Sequence, residues 1–269
     1  MSDFLGEWRA WREAREERLR DPRGWLAITA IHWLTVAPQR FDDVPGEWYG
    51  NEHGVTVTLG RGETLTAGST NLTEGVHELG PLDEAGLTVT FDDAVAQVAD
   101  RGGRPIVRPR HPDSPNLRAY SGTPCYPPDP GWIFPARFEP YPVPDDEAVG
   151  EVVFEYGGTE HRLIAWGEED GCLWILFRDA TSGVTTYPAN RQLLTAPTTP
   201  DGIVHLDFNR AINMPCAYTD FATCPLPPAA NTLPFAVEAG EQIPAVVSPG
   251  TLKAANRRTR SAGQSSLRT

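Results

Sequence analysis

The sequence is poor in cysteine and in positive charge, and it lacks any long uninterrupted apolar run. Its 269 residues include four cysteines and 23 Lys or Arg against 36 Asp or Glu, for a formal net charge of −13. A field of that sign repels polyanions, which argues against nucleic acid as a partner. The most apolar stretch, residues 25–37, contains Thr29, His32 and Thr35. It falls short of the roughly 18–20 apolar residues of a membrane span, so we expect no membrane partner.

The signatures of several common catalytic and metal sites are also missing. The chain has no GxSxG elbow, phosphate-binding glycine loop, GxGxxG after a strand or HExxH motif. Its cysteines lack CxxC spacing and a histidine at zinc-finger distance, so we expect neither a metal nor a cofactor. The first 20 residues mix acids and bases without the apolar core of a secretory signal. This predicts a cytoplasmic protein with cysteine thiols in place of a disulfide framework.

The composition that remains is typical of a folded, β-rich chain. Hydrophobic residues make up 40% and charged residues 22%, while 26 prolines and 25 glycines separate short β-type runs. The pattern predicts a mainly β fold, either a single-domain antiparallel β-sandwich or a partly open β-barrel, with an N-terminal amphipathic helix. We expect three parts: the helix packed on the domain (residues 1–22), the β-rich domain (23–246) and a basic flexible tail (247–269).

The helix is predicted over residues 4–19, where Phe4, Leu5, Trp8, Trp11 and Leu19 fall on one face. Ser2 or Asp3 can cap its start, and Asp21-Pro22 ends it. Arg15 projects from the aromatic face. Its guanidinium either finds a buried acceptor or extends along the indole rings to water, and the second interpretation is preferred.

Ten strands follow from short β-type runs between turn residues. They are residues 55–59, 86–91, 95–98, 105–108, 132–138, 151–156, 161–166, 172–178, 184–187 and 203–208. Gly157-Gly158 predicts a tight hairpin between two of them. Residues 172–178 are apolar on both faces and should form a central strand, which Thr181-Ser182-Gly183 turns back into residues 184–187. No second helix is predicted.

The later part of the chain resembles a bacterial family classed as domain of unknown function 1684. The hallmarks are residues 177–183, Thr186-Tyr187, Arg191, residues 207–211, Pro215-Cys216-Ala217, Cys224-Pro225, Pro227-Pro228, Asn231 and Gly240-Glu241. Trp11-Arg12, Arg15, Gly24-Trp25-Leu26 and His32-Trp33-Leu34 resemble the family's opening. The resemblance runs to about Pro244 and is loosest between Phe41 and Ser121. It implies a single β-rich domain and no established activity.

Charged and polar side chains of the last third form the candidate binding site. Arg178 ends an apolar strand, where an unpaired charge is costly, so it needs a carboxylate or a ligand. One interpretation is internal ion pairing with nearby acids. The other is a clamp for a substrate carboxylate or phosphate, with neutral groups bound alongside. The ligand-binding candidates are Arg178, Asp179, Tyr187, Arg191, Asn209, Arg210 and Asn213.

Candidate catalytic residues lie on the last predicted strand. Alternation places His205, Asp207 and Asn209 on one side. This row either faces water or lines a cavity, where Asp207 could orient His205 for acid–base chemistry. Cys216 and Cys224 are possible redox or nucleophilic residues, with packing as small hydrophobic groups the alternative.

Three functions remain open. The preferred one is a β-domain that binds a small anionic molecule. The alternatives are a cofactor-independent hydrolase or isomerase and a structural or interaction protein. The oligomeric state is not indicated by the sequence.

Overall fold

The fold is described from a computed structural model, which covers residues 3–51, 53–142 and 148–245. Strand makes up 40% and helix 16%, and the strands form several antiparallel sheets with a half-barrel and one N-terminal helix. The predicted mainly β fold is thus confirmed. The predicted basic tail and the alternative cap Ser2 lie outside the described residues.

Contacts within the described chain divide it into two compact units. The N-terminal β unit comprises residues 17–120 and 221–223, and the C-terminal β unit comprises residues 3–16, 121–220 and 224–245. Short strands and tight turns occur on both sides of Tyr120, so the composition gives no sign of this division. The domain boundaries proposed from the sequence stay a prediction.

Helix α1 spans Phe4–Leu19, as predicted. The carboxylate of Asp3 accepts a hydrogen bond from the Gly6 backbone N–H at 3.0 Å and so caps the helix. Trp8 donates its indole N–H to the Asn209 carbonyl at 3.3 Å. Leu5 is 47% exposed, so the buried face is narrower than the apolar arc of the sequence.

Within its described residues, the N-terminal β unit holds ten strands in two antiparallel sheets. Its strands are β1 His32–Trp33, β2 Gln39–Phe41, β3 Val44–Asn51, β4 Gly54–Leu59, β5 Leu65–Ala67, β6 Thr70–Leu72, β7 Gly75–Leu79, β8 Leu87–Phe91, β9 Ala94–Asp100 and β10 Pro105–Arg110. One sheet has the order β1-β10-β9-β8-β5-β6 and the other β2-β3-β4-β7. A 3-10 turn, Trp25–Ala27, and a short helix, α2 Pro115–Ala119, complete the unit. The sequence did not predict α2, which is a single turn capped by Ser114.

The C-terminal β unit is built on one seven-stranded antiparallel sheet of order β16-β11-β12-β13-β14-β15-β17. The strands are β11 Ile133–Pro140, β12 Gly150–Tyr156, β13 Thr159–Gly167, β14 Leu173–Phe177, β15 Arg191–Leu194, β16 Ile203–Asp207 and β17 Ile212–Asn213. Among the described residues of this unit, the 3-10 turn Pro130–Trp132 precedes β11. Four more lie between or after the strands: Glu169–Gly171, Phe208–Arg210, Pro215–Ala217 and Ala229–Asn231. The core includes Val152, Phe154, Leu163, Ile175, Phe177, Leu206 and Phe208.

The predicted glycine hairpin is confirmed. β12 and β13 pair up to Tyr156 and Thr159, with Gly157 at φ 60° and Gly158 at φ 74°. Two successive positive φ angles match the twist of the flanking strands, which is why two glycines serve here.

The prediction that β14 turns back into a strand at residues 184–187 is wrong. β14 is central, as expected, but it pairs with β13 and with β15, which begins at Arg191. The Asp179 carboxylate accepts hydrogen bonds from the Thr181 backbone N–H at 2.7 Å and the Thr181 hydroxyl at 2.5 Å. These local bonds hold the segment in turns, and they compete with strand pairing.

Arg15 forms a buried ion pair with Glu241 inside the C-terminal β unit. It is only 3% exposed, and its Nε lies 3.0 Å from Oε1 of Glu241, which is 0% exposed. The interpretation that Arg15 extends along the indoles to water is therefore wrong. Although burial lowers the pKa of Arg15, the charge and hydrogen bond of Glu241 outweigh it and leave that pKa raised.

The other oxygen lone pairs of Glu241 are satisfied as well. Arg12 Nη1 lies 3.0 Å from Oε1. The Asn213 backbone N–H donates to Oε2 at 2.7 Å, and the Tyr218 hydroxyl donates to the same oxygen at 3.1 Å. Removal of the negative charge would leave Arg15 without its buried partner.

We expect Glu241→Gln to lower the free energy of unfolding of the C-terminal β unit by about 3–5 kcal/mol, the usual cost of breaking a buried ion pair. Urea denaturation followed by tryptophan fluorescence measures the change. Glu238→Gln is the matched control, because Glu238 is an exposed acid three residues away. An equal effect of the two substitutions would contradict the assignment.

Candidate functional site

Asp179 and Arg191, two of the predicted ligand-binding residues, form a buried ion pair. Arg191 is 1% exposed, and its Nη2 lies 2.8 Å from Asp179 Oδ2 and donates to the Val237 carbonyl at 3.0 Å. Its Nη1 donates to the Ala239 carbonyl. Burial lowers the pKa of Arg191, which the charge of Asp179 opposes, and a guanidinium stays charged at any ordinary pH. In this geometry Asp179 and Arg191 pair with each other, as the first of the two interpretations predicts.

Tyr187 and Asn213 are also engaged within the C-terminal β unit. The Tyr187 hydroxyl donates to the Cys216 carbonyl at 2.7 Å, and burial raises the pKa of Tyr187, so it remains a neutral donor. Asn213 donates its side-chain N–H to the Gln242 carbonyl at 2.8 Å. Both side chains hold loops to the end of the sheet.

The predicted polar row of residues 205, 207 and 209 is interrupted. β16 ends at Asp207, whose Oδ1 accepts the Asn209 backbone N–H at 3.1 Å and begins a 3-10 turn. Asn209 is buried and exchanges two hydrogen bonds of 2.9 Å with the backbone of Asp129, so it does not continue the row. His205 is exposed on the strand. The row is therefore not one continuous polar face.

The predicted arginines differ in their pairing. Arg210 Nε lies 3.2 Å from Asp207 Oδ2 in a partly exposed pair, and its guanidinium lies 5.8 Å from the Trp11 ring. Arg178 is half-buried, and its Nε is buried without a hydrogen-bond acceptor among the described residues. The backbone of Arg178 makes hydrogen bonds to the backbone of Asn231 and Leu233. Arg178 is the predicted residue best placed to take an external acceptor.

A cavity of about 490 Å³ opens in the N-terminal β unit. It lies between two hairpin turns of matching sequence, Phe41-Asp42-Asp43-Val44 and Phe91-Asp92-Asp93-Ala94. Each turn has two central residues, because Phe41 pairs with Val44 and Phe91 pairs with Ala94. We call this the acidic-turn cavity; its lining includes Arg40, Phe41, Asp42, Asp43, Glu63, Phe91, Asp92 and His111.

Asp43 lines the cavity and is oriented by a histidine. Its Oδ1 lies 2.6 Å from His32 Nε2, and the His32 ring stacks on Phe41 with centroids 3.9 Å apart. Burial raises the pKa of Asp43, but the hydrogen bond and charge of His32 outweigh that effect, so the pKa lies below its ordinary value of 3.8. Asp43 is thus an anion over the whole range in which proteins usually function.

The other polar groups of the cavity are arranged around Asp43. His111 Nε2 lies 3.2 Å from the Asp43 carbonyl, so that nitrogen is the donor. Glu63 pairs with Arg40 and accepts the Gly60 backbone N–H at 2.7 Å. The Gly60 bond is the largest cause of the lowered pKa of Glu63.

Asp92 adds another acid to the lining. It has a φ of 47°, a left-handed conformation that Asp and Asn tolerate better than most residues. Such conformations concentrate at ligand sites as well as in tight turns. The cavity therefore presents Asp42, Asp43 and Asp92 beside the phenyl rings of Phe41 and Phe91.

The sequence does not indicate this cavity. The residues that His32 and His111 contact lie 11 and 68 positions away in the chain. The repeated Phe-Asp-Asp triplet was the available signal. It became meaningful only when β2–β3 and β8–β9 were seen as hairpins.

The chain belongs to a family described as protein of unknown function (DUF1684), whose model matches residues 118–242. The match covers strands β11–β17 and the buried pair Asp179–Arg191. It does not reach helix α1 or the acidic-turn cavity, so the predicted resemblance of the chain's opening lies outside it.

The solution NMR structure of an uncharacterised protein from gene locus rrnAC0354 of Haloarcula marismortui is similar to this chain. The two are 32% identical over 48% of this chain and 80% of that one, with a TM-score of 0.42. A comparison with curated proteins found no match.

Two further findings concern the described residues alone. Within residues 3–51, 53–142 and 148–245, no helix is long and apolar enough to cross a bilayer. The same residues contain no group of three or more His, Cys, Asp or Glu side chains placed to hold a metal ion.

Two arginine–aspartate pairs of the C-terminal β unit provide a test of internal pairing. Arg191→Met should lower the free energy of unfolding by about 3–5 kcal/mol, because Asp179 loses its buried partner. Arg210→Met should cost about 0–1 kcal/mol, since its pair with Asp207 is partly exposed. Urea unfolding of both variants measures the difference. If Arg191→Met proved as stable as Arg210→Met, the structural role of the Asp179–Arg191 pair would be refuted.

Proposed function

We propose that the protein binds a small organic cation in the acidic-turn cavity. The observation that carries the proposal is the Asp43 carboxylate, which lines the cavity and is held by His32 at 2.6 Å. A carboxylate that is already oriented requires little rearrangement to accept an ammonium group. The volume of the cavity, about 490 Å³, falls within the roughly 300–1,000 Å³ of small-molecule sites.

The charge of the lining supports a cation in preference to an anion. Asp42, Asp43 and Asp92 line the cavity, and its one arginine, Arg40, is paired with Glu63. An anionic ligand would meet like charges there, which opposes binding.

The apolar part of the lining supports an organic ligand. Phe41 and Phe91 stand at the bases of the two turns. A phenyl face attracts an ammonium group through its quadrupole and also buries attached methyl or methylene groups. A primary or quaternary amine with a small apolar body combines these features.

A panel of amines, their uncharged isosteres and matched carboxylates tests the proposal by thermal shift and calorimetry. We expect amines alone to bind, with affinity reduced at least about tenfold by Asp43→Asn, or about 1.4 kcal/mol. Asp92→Asn should also weaken binding while preserving the turn, since Asn adopts the same left-handed backbone. Asp93→Asn is the control, because Asp93 follows Asp92 and does not line the cavity. Equal binding of uncharged isosteres would overturn the cation proposal.

Arg178 supports a second candidate, the binding of a small anionic molecule to the C-terminal β unit. The supporting observation is its buried Nε without an acceptor among the described residues. A carboxylate or phosphate could supply one, since the guanidinium binds both. The other predicted site residues would act here as supports of the sheet end and not as direct ligands.

Inorganic phosphate and mono- and dicarboxylates test this second candidate. An anion that binds the native state raises the melting temperature by mass action, and Arg178→Gln should abolish that rise. Arg137→Gln is the control, because Arg137 is an exposed arginine of the same sheet, paired with Glu139. Identical shifts in the two variants would indicate a general salt effect and refute the site.

The hydrolase or isomerase alternative based on His205 and Asp207 has less support, because His205 is exposed and Asp207 caps a turn. A structural or interaction role stays a prediction, as does the cytoplasmic location.

A further inference from the structure

Cys216 and Cys224 are eight residues apart in the chain and in contact in the fold. The Cys216 backbone N–H points at Cys224 Sγ over 3.3 Å. None of the four cysteines is in a disulfide. Both residues of the pair are partly exposed.

Two anchors from one buried segment hold the cysteines in this arrangement. Tyr187 donates its hydroxyl to the Cys216 carbonyl at 2.7 Å. Asn190, three residues later, donates its side-chain N–H to the carbonyl of Pro225, the residue after Cys224, at 2.8 Å. Each end of the connecting loop is thus tied to the same short stretch of chain, which keeps the two thiols together.

The surrounding backbone is also restricted. Cys216 lies in the 3-10 turn Pro215–Ala217, and Pro225 follows Cys224. Proline fixes φ near −65°, so little conformational freedom remains to be lost when the sulfurs join. Groups held in contact react with each other in preference to an external partner.

We propose that Cys216 and Cys224 are a modification site, a dithiol that a small-molecule disulfide, RSSR, oxidises to an intraloop disulfide. In the first step a cysteine sulfur attacks RSSR and forms a mixed disulfide, and one RSH leaves. The second cysteine sulfur then attacks the mixed disulfide at the first cysteine's sulfur, and the second RSH leaves. In total, two cysteine thiols are oxidised and one RSSR is reduced to two RSH, so atoms and electrons balance.

The remaining cysteines serve as internal references. Cys125 forms an isolated antiparallel bridge with Glu241. Cys172 directly precedes β14. Neither makes a hydrogen bond to another cysteine within the described part of the chain. The pair at 216 and 224 should therefore oxidise as a unit.

The experiment uses the full chain and a Cys125→Ser/Cys172→Ser variant, each equilibrated with excess oxidised glutathione and trapped with a maleimide. Chymotrypsin cleaves after Tyr218 and opens the loop between the cysteines. We expect two peptides that remain joined until reduced, and loss of both thiols at 216 and 224 without retained glutathione. Cys224→Ser should instead retain glutathione on Cys216, because the resolving thiol is gone.

Three results would overturn the proposal. They are retention of both thiols at equilibrium in the wild type, stable glutathione adducts on both cysteines, and linkage of either cysteine to Cys125 or Cys172. Mapping on the wild-type chain makes the test independent of whether the serine variants fold.

Discussion

The C-terminal β unit depends on the complete compensation of one buried negative charge. Glu241 has no access to water, and a carboxylate in such a place is tolerated only when every lone pair has a donor. Arg12 and Arg15 of helix α1, the Asn213 backbone and Tyr218 provide those donors. The charge therefore holds α1 in place through two of its arginines.

The same requirement explains why the predicted binding residues occur in the later third of the chain. Arg191 and Asp179 satisfy each other, and Arg191 also donates to the carbonyls of Val237 and Ala239. Asn231 fills the gap between β13 and β14, with hydrogen bonds to the backbone of Ile164 and Leu176. Arg, Asp and Asn in such segments resemble a ligand site in sequence, yet they are also what irregular buried backbone requires.

Sequence patterns predicted the elements that are determined by residues close together in the chain. The period of 3.6 residues gave α1 its bounds, and Gly157-Gly158 identified the β12–β13 hairpin. Prediction failed where the cause is distant: the acceptor of Arg15 is 226 positions away, and Asn213 reaches its partner through tertiary contact. Residues 184–187 have strand-like composition, but side-chain bonds from Asp179 outweigh that preference. The acidic-turn cavity could not be predicted, because it depends on the pairing of strands that are too short to recognise from composition, such as β2.

The acids of the two units differ in how many of their hydrogen-bonding positions are filled by the protein. In the C-terminal β unit, Glu241 and Asp179 are saturated by arginines and backbone donors, so their charges stabilise the fold and offer nothing to a ligand. In the N-terminal β unit, Asp43 is oriented by a single histidine and still borders open space. A charge with all its donors in place is structural, whereas a charge held on one side and open on the other can bind. This distinction, and not the number of charged residues, separates the frame of the protein from its candidate site.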